Sequence, residues 1–557
     1  MRLVSMSMRN TSGPTARRTP FVVALLAVLS LSANAAALST LGSSGGGVAC
    51  AGVGDWVQSS IAAPETGAFA PGAWQVVSWH THNNGAAAVP AQLEIWHRVD
   101  NSLYRLQGLS PVEMAQPGDN VFTLPQPIAV QQQYDTWGLH SFIGTAECGG
   151  LDPDPHFTVA YRTSATVPST GDIVEMLPTP LPINKLNVAV DVEPATRFNP
   201  VPSVRLLDSR IQPGTPSLVQ DDTTAIAVRG VAGIPIGAAA VALNVTATNS
   251  DAGFVTIVPC GPPLAFGVLS QLNPRPGYAV ANLVHVAIAA NGTVCLTTQG
   301  RTDLIVDVVG WYGSTGALYN PLPVTRLVDT RLGVGAPLAH LAAGQVLEVQ
   351  TAGKSAMPAN AVAALFNITA TNSEAGYLTV YPCDQPRPLA SSLNPQPAFA
   401  VANLVQTPIS TTGSVCIYSE RPTDVIVDLQ GWFGATGEHI KLLDGQRIVD
   451  TRSGLGAPAA PLQGGQTLPL TINNPPCCGL KGVMLNLTAT NSEAGYLTVY
   501  PCDQPRPTTS NLNAQPVFAV ANLAVVSTSA TQTVCVYTER ATDLIIDRIA
   551  YVLDQAT

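Results

Sequence analysis

From about residue 195 onward, apolar and β-branched residues come in short runs, and Gly, Pro, Asn or Ser closes each one: "ALNVTATNS", "GYLTVYP", "FAVANLVQTPIS", "SVCIYSE", "DVIVDLQGWFG". Several alternate with period two. In "NVTAT" the polar Asn244, Thr246 and Thr248 share one side of a strand, and Val245 and Ala247 share the other. No stretch keeps a helical period beyond two turns. Many short strands punctuated roughly every ten residues predict an all-β chain of sandwich domains, jelly-roll or Ig-like.

The runs recur. "RLLDSR" begins at Arg205, "RLVDTR" at Arg326 and "RIVDTR" at Arg447, a spacing of 121 residues both times. That period is too long for a solenoid repeat or propeller blade and matches a whole domain. The predicted organisation is a leader (1–35), a linker (36–47), an N-terminal sandwich (48–193) and three repeats (194–314, 315–435, 436–557). Short connectors between the repeats predict a compact or semi-rigid string. Residues 369–388 and 488–507 are identical, "TATNSEAGYLTVYPCDQPRP", with a looser copy from Thr246. Within them, "TNS-[DE]-A-G" predicts a tight turn with Gly253, Gly376 and Gly495 at positive φ. A calcium role for Asp251, Glu374 and Glu493 would rest on one carboxylate each.

Arginines 9, 17 and 18, the apolar run "FVVALLAVLSLS" and the small residues "SANAAA" follow in the order of a secretory signal peptide. Cleavage is expected after Ala35, by the general or the twin-arginine route. No other segment is long and apolar enough to span a membrane. Losing the leader's four arginines takes the formal charge from -10 to -14, which disfavours nucleic acid and anionic membranes as partners.

Export gives the cysteine spacing its meaning. Cys260 and Cys295 lie 35 residues apart; Cys383 and Cys416, and Cys502 and Cys535, lie 33 apart. A near-constant spacing repeated three times predicts one disulfide per repeat. Closing such loops stabilises each unit by roughly 3–4 kcal/mol in the chain-entropy view. Cys50 and Cys148 are left in the N-terminal region, where a fourth pair is expected. Cys477 and Cys478 stand outside the pattern, with a bond between neighbours expected first and an interchain link or free thiols as alternatives. No metal is expected at these cysteines, and none of the chain's features asks for a cofactor.

The set "RL-[LV]-D-[ST]-R", "N-[VIL]-T-A-T-N-S-[DE]-A-G-[FY]-[VL]-T", "A-V-A-N-L" and "I-V-D-[VL]-x-G-[WY]" resembles tandem domains of secreted and surface proteins of actinobacteria. The resemblance covers residues 195–557 and implies export beside other modules, without catalytic residues to carry over. The third unit departs from it, with "IIDRIAYVL" where the others end in Gly310-Trp311 and Gly431-Trp432. As the last unit, it is expected to lack a neighbour for that aromatic to cover.

The N-terminal region is similar in outline to carbohydrate-binding jelly rolls. Trp79, Trp96 and Trp137 are candidate sugar platforms, against a core or interface role. His80 and His82 would project from one face of a strand as a two-ligand metal fragment, but with no third ligand identifiable they are expected to be solvated edge residues, and no metal is expected. In the repeats, Asp208, Asp329 and Asp450 lie between arginines (Arg205 and Arg210, Arg326 and Arg331, Arg447 and Arg452), while Asp307, Asp428 and Asp547 sit in apolar strands. Glycosidase chemistry would need two carboxylates with unlike pKa values in a cleft, and arginine neighbours are expected to depress both. The expectation is a structural Arg–Asp network. Asn244, Asn367 and Asn486, which open N-x-T triplets, are expected to be polar-face strand residues. The sequence thus predicts a secreted or surface protein for non-catalytic binding or display, its partner being cell-wall or environmental glycans or another surface protein. The alternative is an extracellular hydrolase with its site in the Trp- and His-rich N-terminal domain.

Overall fold

The computed structural model describes residues 39–554, without 43–47, 50–53, 61–72, several N-terminal-domain loops between 84 and 195, and 212–217, 220, 262–268, 290 and 474–478. The leader, Cys50, Cys477 and Cys478 lie outside the described residues, and Cys148 is described by its backbone alone. Among the described residues no helix is long and apolar enough to cross a membrane.

Each repeat is a two-sheet sandwich. In repeat 1 the strands are Arg197–Asp208, Thr223–Ala227, Ala240–Thr248, Val255–Pro259, Val280–Ala287, Thr293–Thr298 and Asp303–Gly313. Called first to seventh, they pair in the order first-seventh-third-fifth in one sheet and second-sixth-fourth in the other. Repeats 2 and 3 reproduce both orders, and repeat 3 adds a short strand, Leu512–Ala514, beside its fourth. Val245, Val255, Val294 and Val306 fill the space between the sheets of repeat 1, the burial that drives the fold.

The disulfides Cys260–Cys295, Cys383–Cys416 and Cys502–Cys535 are formed, one in each repeat. Each ties the end of the fourth strand to the sixth, its neighbour in the same sheet.

The "TNS" turn differs from expectation. The left-handed residues are Asn249, Asn372 and Asn491, with φ of 50°, 50° and 49°, a conformation asparagine tolerates. Their amides donate to Asp303, Asp424 and Asp543 at 2.8 Å. The glycines serve close approach instead: a Cβ on Gly376 would lie 2.8 Å from Arg421 Cγ, and one on Gly495 2.7 Å from Arg540 Cγ.

The repeats form a closed ring, not a string. The Nδ2 of Asn282 in repeat 1 donates to Asn486 in repeat 3 (3.0 Å), that of Asn403 to Asn244 in repeat 1 (3.1 Å) and that of Asn522 to Asn367 in repeat 2 (3.0 Å). Their Oδ1 atoms accept backbone N–H groups in the same cyclic order, from Leu523, Leu283 and Leu404. Asn244, Asn367 and Asn486 pass the cycle on by donating to the carbonyls of Ser391, Ser510 and Ser270. Such equivalence around a closed path describes an approximate threefold axis. Beneath the asparagines, Phe198, Tyr312, Tyr319, Phe433, Ile440 and Val552 from all three repeats share one apolar cluster.

That axis also explains the departure in repeat 3, which abuts repeat 1 and does not lack a neighbour. Phe198 and Tyr319 lie over Gly310 and Gly431, where a Cβ would collide with their rings. In repeat 3, Ala550 replaces the glycine and the smaller Ile440 replaces the aromatic, so both remain buried at 0% and 1% exposure. The tryptophans after those glycines, Trp311 and Trp432, pack on the cores of their own repeats.

The N-terminal domain is also a sandwich, built from a four-stranded sheet and a larger one centred on Val89–Arg98 and Asp135–Ser141. It meets the ring near the chain's entry into repeat 1. Ser314 N–H donates to Gln75 Oε1 at 2.7 Å, Gln75 Nε2 donates to Gly237 O, and Ala129 joins the axial cluster.

Candidate functional site

The aspartates offered for chemistry sit at the edge of the four-stranded sheet, where the first strand meets the seventh. Register places Arg205 opposite Asp307, Arg326 opposite Asp428 and Arg447 opposite Asp547. Arg205 grips Asp307 with two hydrogen bonds, 2.9 and 3.1 Å, and extends Nη1 to Asp208 at 3.1 Å. Arg210 takes Asp208 from the other side at 2.8 and 2.7 Å. Arg326 and Arg331 repeat this on Asp428 and Asp329. Arg447 and Arg452 do so on Asp547 and Asp450.

The expectation that arginines depress both carboxylates is half right. The hydrogen bond from Arg210 holds Asp208 below the ordinary aspartate range, and Arg331 and Arg452 do the same to Asp329 and Asp450. Burial outweighs the arginine for Asp307, Asp428 and Asp547, which are pushed upward. Unlike carboxylates invite an acid–base reading, yet the Asp307 side chain is 0% exposed behind Arg205. A substrate atom cannot reach it, so the pair works as a clamp between strands.

The tryptophans are core residues. Trp79, Trp96 and Trp137 are 0%, 0% and 2% exposed, so none presents a face to a sugar. Trp79 and Trp137 fill the space between the N-terminal sheets, and Trp96 packs with Tyr104 and Leu106 on the opposite side. Trp96 Nε1 donates to the buried Glu94 at 2.9 Å, and His140 lies 3.8 Å from the same carboxyl. His82 sits 2.6 Å from Asp119, and among the described residues no group of three or more His, Cys, Asp or Glu could hold a metal.

What the sequence did not single out lies on and around the axis. One end of the ring is capped by Arg275, 2% exposed, whose guanidinium lies 4.3, 5.1 and 5.7 Å from the ring centres of Tyr278, Phe518 and Phe399. Its Nη1 donates to Gln515 Oε1, while Nε and Nη2 meet no protein acceptor. Repeats 2 and 3 carry Gln396 and Gln515 at the equivalent position, and these bond each other at 3.3 Å. Deeper in, His285 is buried against the hydroxyl of Tyr312 at 3.1 Å. Loss of hydration pushes its pKa down to about 3, so it is neutral at physiological pH. The signal for the asparagine ring was present as "AVANL" in all three repeats, but nothing in one strand reveals that its polar face meets another domain.

The seams between repeats form three equivalent clefts. At seam 1–2, Val201–Ser203 face the Gln385–Pro388 segment of repeat 2. At seam 2–3, Pro321–Val324 face Gln504–Thr508 of repeat 3. At seam 3–1, Leu443 and Gly445 face Pro259 and Leu269 of repeat 1. These cavities measure about 40, 580 and 10 Å³ respectively, and a further cavity of about 310 Å³ at seam 1–2 is lined by Arg205, Asp208, Arg210, Tyr377 and Arg387, so seams 1–2 and 2–3 both have room for a ligand.

Comparison with protein-family models finds no match to this chain, and comparison with curated proteins finds none either.

Proposed function

We propose that this protein is exported and acts outside the cell as a non-catalytic module for binding or structural display, with cell-wall or environmental glycans as its partner. The disulfides support the location, because such bonds persist in oxidising compartments. The observation that carries the functional half is the use made of the six repeat aspartates. All are engaged by arginines, Asp307, Asp428 and Asp547 in clamps between strands and Asp208, Asp329 and Asp450 by the arginine two residues on, so the groups best suited to hydrolysis are tied up in ion pairs. What remains accessible is a stiff ring whose seams place side chains from two repeats around one space.

The test is the full chain on a glycan array, with hydrolysis of each retained glycan followed by mass spectrometry. Retention without cleavage supports the reading, and turnover overturns it. Loss of both retention and cleavage removes glycans as the partner.

A further inference from the structure

We propose that the 310 Å³ cavity at seam 1–2 is a site for an acidic sugar, a pyranose ring bearing a carboxylate. This deepens the glycan reading above and rests on it. The volume stands at the lower end of small-molecule pockets, which limits the ligand to about one ring. Repeat 1 supplies Arg205, Asp208 and Arg210 to the wall, and repeat 2 supplies Tyr377 and Arg387.

Charge identifies the occupant. The chain is acidic overall, at -10, so three arginines around one cavity reverse the sign locally. Two of them are already matched, because Arg205 holds Asp307 at 2.9 Å and Arg210 holds Asp208 at 2.7 Å. Arg387 is not. Among the described residues it meets no carboxylate; it lies 3.7 Å over the ring of Tyr418 and reaches the hydroxyl of Tyr377 at 3.5 Å. The stack holds an exposed guanidinium at the cavity wall with N–H donors to spare, the planar fork that grips a carboxylate by two bonds.

The stack is kept or lost as a unit. Repeat 3 has it, with Arg506 3.6 Å over Tyr537 and the ring of Tyr496 6.1 Å from that of Tyr537. Repeat 1 keeps no member: Phe254 and Thr297 stand for the two tyrosines, and residues 261–269 include no arginine. In the seam 2–3 cleft Arg506 is accompanied by Asp503, of opposite sign. The counterpart Asp384 is bound to the N–H and hydroxyl of Thr411 and does not line the seam 1–2 cavity, so Arg387 keeps its charge for a ligand. The remaining wall suits a sugar: Thr248 and Ser391 bring hydroxyls, while Ile211 and Leu389, 77% and 88% exposed, offer apolar edges to the C–H face of a ring.

The experiment titrates the full chain by saturation-transfer NMR with methyl glucuronide, with methyl glucoside, which lacks the carboxylate, and with glycolate, which lacks the ring. Methyl glucuronide should bind at least tenfold more tightly than either control. Arg387→Gln should weaken it about tenfold or more, Arg387→Lys should recover only part of that, and Leu389→Asp should weaken it by repulsion. Arg387 and Leu389 are exposed, so melting temperatures should not change. Arg506→Gln, which removes the matching stack of repeat 3, should leave binding as it was. Equal binding of methyl glucoside overturns the role of charge, and equal binding of glycolate overturns the sugar. Binding unchanged in both Arg387 variants, or lost equally in Arg506→Gln, overturns the placement at seam 1–2. If methyl glucuronide does not bind while the array retains neutral glycans, this site falls and the glycan reading stands; if the array retains nothing either, both fall.

Discussion

Replacing Asn282 by alanine separates a ring from a string. Asn282 belongs to repeat 1, yet its amide nitrogen donates to Asn486 and its oxygen accepts from Leu523 N–H, 204 and 241 residues away. In a string those partners would lie two domains off and the substitution would be silent in repeat 3. In the ring it leaves a buried N–H and a buried amide oxygen without partners. At roughly 1–3 kcal/mol per stranded group, the seam loses about 4 kcal/mol. Repeat 3 should respond first in its fifth strand, Val520–Ser527, which carries the Leu523 amide. Hydrogen exchange followed by mass spectrometry should show protection there falling by on the order of 10³-fold if exchange proceeds through seam opening. Asn403→Ala and Asn522→Ala should produce matching losses one repeat further round, in the fifth strands of repeats 1 and 2. Unchanged exchange at 520–527 in Asn282→Ala would refute the closed ring.

Three other outcomes follow from the axis. His285 has its pKa pushed down to about 3, against about 6.5 when unfolded. Its contribution is therefore present above pH 6.5 and declines as pH falls toward 3, by about 2 kcal/mol at pH 5; His285→Gln, the residue at the equivalent Gln406, should flatten denaturant midpoints measured between pH 7.5 and 5. Gly431→Ala should destabilise by about 2–4 kcal/mol because its methyl meets the Tyr319 ring, and adding Tyr319→Ile, which copies the Ala550 and Ile440 pair, should recover at least half in a double-mutant cycle of urea titrations. Arg275→Gln removes a buried cation with two unpaired nitrogens and restores the residue of the other repeats, so thermal melts should stay level or rise.

Period-two alternation was enough to read the strands, because sandwich strands announce themselves residue by residue. "NVTAT" shows where that logic ends. Val245 and Ala247 do face the core of their own repeat. Asn244 and Thr246 face the other way, as alternation required, but onto repeat 2 and not into solvent, at 6% and 1% exposure. A polar face turned to water and one turned to a polar partner have the same letters. The tryptophans were open for the complementary reason: aromatic residues on alternating strands serve a platform or a core, and the second sheet over Trp79 and Trp137 decides for the core. Cysteine spacing gave more, since a pair held at constant separation in three copies leaves few alternatives.

The verbatim copies in repeats 2 and 3 acquire a physical reason from the ring. The segment "PCDQPRP" of repeat 2 faces Val201–Ser203 of repeat 1 across the seam, and that of repeat 3 faces Pro321–Val324 of repeat 2. The first strands that receive them read "NPVP" and "NPLP". At the closing seam both sides differ: repeat 3 offers Leu443 and Gly445 to Pro259 and Leu269 of repeat 1, and the sequence after the fourth strand of repeat 1 reads "PCGPP" in place of "PCDQPRP", with Pro262 and Pro263 outside the described residues. There Gly445, at φ 80°, allows Leu269 to approach so closely that a Cβ would lie 2.5 Å from its Cδ1. The unit of identity is therefore the seam, not the repeat. Two seams share one pair of sequences, while the third, which turns three domains into a ring, has changed on both faces together.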